Sequence, residues 1–166
     1  MNLLRSCALV PVLLFGASCG SDPAGGGSQP NGPGGAAKAA GSMDAAIAEL
    51  QARPEHSDDK IEVEHVLIAF QGAPRITGVT RSLDDAKKLA EEVWQKAVAG
   101  EDFSALRKQH SNDSGPGIYP MTKAGRGQMV AGFGDVGWRL QVGQIGVAPY
   151  DKAKSPYGYH VIKRTK

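Results

Sequence analysis

Two apolar strands, each carrying a histidine, stand at opposite ends of one domain-sized stretch of chain. They constrain the fold more than any other feature. The first, IEVEHVLIAF at 61–70, alternates. Ile61, Val63, His65, Leu67 and Ala69 take one face, and Glu62, Glu64, Val66, Ile68 and Phe70 the other. The second lies in the last dozen residues, SPYGYHVIKRTK, where a Tyr-Gly-Tyr run delivers His160 into an apolar strand. The simplest arrangement lays the two strands side by side and brings both imidazoles under one sheet face. From the strand at 61–70 alone, His65 reads as a core histidine satisfied by a hydrogen bond; the pairing with His160 is what points to chemistry.

A chain of 166 residues has room for one domain of ordinary size. Its net charge of +2, with no basic stripe interleaved with aromatics, excludes a phosphate-driven nucleic-acid binder. Glycines crowd into two stretches. Those from Gly20 to Gly41 read as linker, and those from Gly115 to Gly146 fall among apolar residues and read as turns inside a fold.

The N-terminus reads as an address. Residues 1–18 hold one basic side chain, Arg5, then a short apolar run at 8–15 that cannot span a bilayer. This predicts a secretory signal peptide. Gly16, Ala17 and Ser18 directly before Cys19 resemble the lipobox of bacterial lipoproteins, although Gly16 stands where that motif usually has leucine. The resemblance implies a lipidated Cys19 and a membrane anchor in the cell envelope. Gly20 after it leans toward the outer membrane, by analogy with lipoprotein sorting. An ordinary cleaved signal with an incidental cysteine is the alternative. Cys7 and Cys19 are the only cysteines, so neither a structural disulfide nor thiol chemistry is expected in the domain. Residues 20–42, rich in Gly, Pro, Ser and Ala, read as a flexible tether.

The remaining chain divides into a short helical extension, 43–57, and a domain, 58–166. Ser42 caps a helix at 42–53 with Met43, Ile47 and Leu50 on one face and Pro54 beyond its end. Residues 71–81 form a loop whose Arg75 and Arg81 read as solvated. Residues 82–99 are the clearest helix, with SLDD as a capping-box variant and an apolar stripe from Leu83 to Ala97. A shorter helix, 102–110, buries Phe103 and Leu106. His110 ends it, where a cation suits the dipole. Turns at 111–117 and 125–129 flank a short strand at 118–122. Residues 130–141 read as a helix weakened by Gly132, Gly134 and Gly137. Strands at 143–149 and 157–164 follow. The order gives an α+β domain with a small sheet.

In this order, several segments resemble one family. They are HVLI at 65–68, AGEDFSAL at 99–106, SND at 111–113, GQM at 127–129 with Phe133, VGQIG at 142–146, and YGYHVIK at 157–163. From about Glu62 to Lys166 the chain is similar to the parvulin-type peptidyl-prolyl cis/trans isomerases. That resemblance implies a four-stranded mixed or antiparallel sheet surrounded by about four helices. It also implies a catalytic group of His65, Asp113 and His160. Met129 and Phe133 would cup the substrate proline. Tyr157 falls where the family has Ser, Thr or Phe near the site. One departure stands out: a GGDLG-like segment is replaced by GPGIYPMTKAGRG at 115–127. Met121 or Ile118 would then supply the aliphatic pocket wall. The loop 71–81 lacks a basic cluster, so phosphorylated substrates are not expected.

The implied activity is isomerisation of X-Pro bonds in unfolded or proline-containing segments of envelope proteins, by a monomer without cofactor. A non-catalytic chaperone module on the same fold is the alternative. A metal site built from His56, His65, His110 and His160 is disfavoured, because no short ligand spacing links them and no cysteine can help.

Overall fold

The computed structural model describes residues 41–166. The expected signal peptide, the lipidated Cys19 and nearly all of the tether lie outside these residues. The element order is α1 (Met43–Gln51), β1 (Lys60–Ala69), α2 (Leu83–Val98), α3 (Phe103–His110), β2 (Ile118–Thr122), a 3-10 turn (Arg126–Gln128), α4 (Ala131–Gly137), β3 (Ile145–Ala148) and β4 (Gly158–Arg164). The four strands run in the order β2-β1-β4-β3, and every ladder is antiparallel. Of the two arrangements the sequence left open, the sheet takes the antiparallel one.

β1 and β4 are neighbours, so the two histidine strands do pair. Leu67 faces His160 and His65 faces Ile162. Alternation along β1 then divides the core in two. Val66 and Ile68 join Val161 and Val147 beneath α2 and α3, with Ala90, Val93, Trp94, Phe103 and Leu106. Ile61 and Val63 join Ile162 and Ala148 beneath α4, with Met121, Phe133, Val136, Trp138 and Leu140. Burying each such Val, Ile or Leu contributes about 1.5–3 kcal/mol, so the two clusters dominate the stability of the fold.

Helix α1 belongs to both clusters. Ser42 caps it through its hydroxyl, Met43 and Ile47 join the α2 side, and Leu50 joins the α4 side. The helix thus passes over the β3 edge of the sheet. The fit is tight there: a methyl group added to Gly146 would meet Leu50 and Leu140. The opposite edge strand, β2, carries Pro120, which has no N–H to offer.

Three local expectations shift. The helix foreseen at 130–141 spans only Ala131–Gly137, because three glycines in seven residues weaken it. Arg81 is only partly solvated. Its guanidinium donates to the Ala69 carbonyl at 3.0 Å and to Asn112 Oδ1 at 2.7 Å. At His110, burial lowers the pKa, which disfavours the cation expected at its helix end, and Nε2 is enclosed without a partner.

Candidate active site

β2 pairs with β1 only from Lys60 to Glu64, which leaves the second half of β1 without a strand on that side. The SND segment fills the gap. Ser111 Oγ accepts from the Leu67 N–H at 3.1 Å, Asn112 Oδ1 from the Ala69 N–H at 3.1 Å, and the Asn112 N–H donates to the Leu67 carbonyl at 2.8 Å. Side chains thus stand in for a missing strand. The next residue, Asp113, is delivered beside His65 as a consequence.

His65, Asp113 and His160 come together, 48 and 95 residues apart in sequence. His65 Nε2 lies 2.9 Å from Asp113 Oδ2, and His65 Nδ1 lies 3.3 Å from His160 Nδ1. The imidazoles stack, with centroids 5.4 Å apart and planes 20° from parallel. Phe133 stands edge-on to both, at 4.9 Å from His65 and 5.7 Å from His160. Tyr119 closes the group: its hydroxyl donates to Asp113 Oδ2 at 2.6 Å, and its ring meets His65 edge-on at 5.2 Å.

These contacts set the charges. The His65 hydrogen bond, with help from Tyr119 and the Gly115 N–H, holds the Asp113 carboxyl well below the usual carboxylate range. It is therefore an acceptor with no proton of its own at neutral pH. Burial raises the Tyr119 phenol, and its bond to Asp113 adds to that, so the phenol stays a donor. Burial, reinforced by His65, pushes His160 down to about 3, so its ring is neutral. His65 Nε2 must then carry the hydrogen given to Asp113, and a single proton is shared between the facing Nδ1 atoms. His160 Nε2 is buried with no partner.

Two glycines make this geometry possible. Gly158, where β4 begins, has φ of 138°, and a Cβ there would strike the Ile68 carbonyl. A Cβ on Gly115 would strike the Tyr119 hydroxyl.

The other expected residues are spread around this centre. Met129 follows the 3-10 turn and packs, half-buried, against the α4-side cluster. Met121 is fully inside that cluster at 4% exposure, whereas Ile118 points to the other sheet face and is 42% exposed. Tyr157 lies half-buried in the turn before β4, outside the ring cluster of His65, Tyr119, Phe133 and His160. Tyr119 was missed. Its signal was present, because alternation in the strand 118–122 puts Tyr119 on the face of Met121. Among the described residues no group of three or more His, Cys, Asp or Glu is placed to hold a metal ion. A separate cleft of about 380 Å³ opens between α1, α4 and the turn before β4, and shares none of these four rings.

Residues 46–166 match the family described as the PPIC-type PPIase domain. The chain belongs to the PPIC-type, or parvulin, peptidyl-prolyl isomerase family. Two similar proteins are foldases. "Foldase protein PrsA 4" of Bacillus cereus is 34% identical over 113 residues, covering 67% of this chain and 33% of that protein. "Foldase protein PrsA" of a Geobacillus species is 43% identical over 81 residues, covering 48% and 28%. The chain thus spans about a third of the length of these relatives. A solved parvulin, peptidyl-prolyl isomerase ESS1 from Candida albicans, superposes with a TM-score of 0.56 at 22% identity, covering 74% of each chain. That likeness is one of fold. It agrees with the four helices and the antiparallel sheet described above.

Proposed function

We propose that the chain isomerises X-Pro peptide bonds in unfolded or proline-containing protein segments, as a foldase of the bacterial cell envelope. Cys19 would carry the lipid that anchors it. The observation that carries this reading is the line Asp113–His65–His160 lying directly against Phe133.

Rotation about a peptide bond is opposed by a barrier of ~18–20 kcal/mol, because the C–N bond has double-bond character. For X-Pro the uncatalysed exchange takes tens to hundreds of seconds. A catalyst must bind the twisted amide better than the planar one, and no covalent bond is needed. Phe133 and Met129 form the cup for the proline ring, with Met121 supporting the cup from within the core. Asp113 presents a fixed negative charge at the edge of this apolar site. The planar amide carries negative charge on its carbonyl oxygen, and the twisted amide carries less. A carboxylate near that oxygen therefore disfavours the planar form. His65 and Tyr119 aim the carboxylate and cannot relieve it of its charge, since both only donate to it. His160 fixes the orientation of His65 through the shared proton.

The segment 115–127, which departs from the family pattern, does not leave the site open. It supplies Tyr119 to Asp113 and Met121 to the core. This favours catalysis over a passive chaperone.

The test is the cis-to-trans rate of a short unphosphorylated X-Pro peptide with purified protein, beside Asp113→Ala and Met129→Ala. Acceleration that both substitutions sharply reduce, in folded protein, is expected. No acceleration across varied residues before the proline would sink the catalytic reading. Incorporation of labelled fatty acid, lost in Cys19→Ser, tests the anchor separately.

A further inference from the structure

Of the two proposed cup residues, Phe133 is buried on α4, whereas Met129 sits on a lightly attached piece of chain. Met129 directly follows the turn Arg126–Gln128. The backbone bonds there all close locally: Gly125 to Thr122, Arg126 to Lys123, Gln128 to Gly125 and Met129 to Arg126. No strand pairing holds the turn to the sheet. Among the described residues, its own polar tie to distant chain is the Arg126 side chain; at the foot of the same loop, Lys123 adds two more to the connection before β1, its N–H to the Asp59 carbonyl at 3.0 Å and its ammonium to the Ser57 carbonyl at 2.9 Å.

The Arg126 side chain is unusually well held. Its two terminal nitrogens donate to the two carboxylate oxygens of Glu55 at 2.6 and 2.8 Å, a bidentate fork. The second nitrogen also bonds Asp135 on α4, two residues after Phe133. The guanidinium lies 5.2 Å from the centroid of the Trp138 ring. Glu55 takes a second cation, Arg139, at 2.9 Å.

Glu55 in turn belongs to the connection between α1 and β1, which is strapped across α4 at several points. The Arg139 Nε donates to the Arg53 carbonyl at 3.0 Å, the His56 N–H to the Trp138 carbonyl at 2.8 Å, and the Trp138 indole N–H to the Asp58 carbonyl at 3.0 Å. Two ion pairs sharing Arg126 thus join three pieces: Glu55 on the strap, the turn before Met129, and Asp135 on the helix that carries Phe133. Glu55, Arg126 and Asp135 bond among themselves and to Arg139, Arg126 lies against Trp138, and none of the three bonds to the four rings of the site.

We propose that Glu55 and Arg126 are positioning residues for the proline cup, and that their ion pair sets substrate affinity by fixing Met129 relative to Phe133. This rests on the reading of Met129 and Phe133 as the cup. The reacting bond lies against Asp113, which the pair does not touch. Loosening the pair therefore weakens grip on the proline ring and spares the chemical step.

The experiment uses the full chain with Arg126→Ala, Arg126→Lys and Glu55→Gln. Two quantities are measured for one X-Pro peptide: its Kd, followed by the Met129 methyl resonance, and kcat with KM. In Arg126→Ala, Kd and KM are expected to rise about tenfold, with kcat within about twofold of wild type. Glu55→Gln should move the same way by less, and Arg126→Lys should recover part of the loss. A purely structural role would instead lower the melting temperature and the active fraction, with KM unmoved. Unchanged Kd in folded Arg126→Ala, or in Glu55→Gln where the alanine variant does not fold, overturns the proposal. So does a fall in kcat at constant KM. If wild type binds the peptide without isomerising it, the catalytic reading fails while Kd still decides this one. If the peptide leaves the Met129 methyl unmoved in wild type, the cup and this inference fall together.

Discussion

The two faces of the sheet are built from the same four strands, yet they are different materials. On the α2–α3 side, β1 contributes Val66 and Ile68 to a cluster of aliphatic and aromatic side chains. On the α4 side, the same strand contributes Ile61, Val63 and then His65, and β4 adds His160. One side is dry packing. The other passes from dry packing into a line of hydrogen bonds that ends at a half-exposed carboxylate. The difference shows how a small domain separates stability from chemistry: one face holds the sheet while the other tolerates a neutral buried imidazole with an unpartnered nitrogen.

The sharpest way to break this comparison is to damage each face and read both stability and rate. Ile68→Ala should cost about 3–4 kcal/mol in chemical denaturation and leave kcat/KM of the folded protein unchanged. Phe133→Ala should cost a comparable amount, about 3–5 kcal/mol, because Phe133 is itself buried in the α4-side cluster, and should in addition lower kcat/KM about 100-fold, or about 2.7 kcal/mol. Equal effects of both substitutions on rate would mean that the faces are not separate.

Acidity probes the site face alone. His160 is held neutral in the fold, so the unfolded chain binds a proton that the folded chain refuses. Stability is therefore intact above the unfolded value of about 6.5 and falls as pH drops from there toward about 3, by up to ~1.4 kcal/mol per pH unit. Asp113 acts later. Its depressed pKa contributes stability that is present above about 4 and is lost as pH falls through the folded value. Melting curves of His160→Phe from pH 7 to 4 should lose most of the first slope. An unchanged slope would place the titration elsewhere.

The smallest expected effect is Tyr119→Phe. It removes one of the two side-chain donors on Asp113 Oδ2 and keeps the ring beside His65. A loss of about 1–1.5 kcal/mol of stability is expected, with kcat/KM changed less than in Asp113→Ala. A larger loss of rate than in Asp113→Ala would give the phenol a direct role on substrate.

Much of this was readable from the residues. Alternation in 61–70 and the YGYH run placed both histidines on paired strands, because a period of two is enforced by the pleat itself. The helix 82–99 was legible from its cap and stripe. Asp113 came from family resemblance alone, because nothing local says that Ser111 and Asn112 bond to the backbone of β1, some 43 residues away. Tyr119 sat in a segment without family precedent, although its alternation with Met121 pointed inward. Arg126 and Glu55 were beyond reach. A bidentate ion pair across 71 residues leaves no periodic trace in a sequence.

The position of α1 bears on how such a protein survives its own work. A protein that handles unfolded chains meets extended backbone at high local concentration, and an open sheet edge is a template for such backbone to add to. Here both edges are blunted. α1 lies over β3, and β2 is five residues long with Pro120 at its centre. Under the proposed function, clients would be gripped by their prolines at the α4 face, and among the described residues they would find no open strand along which to zip onto the sheet.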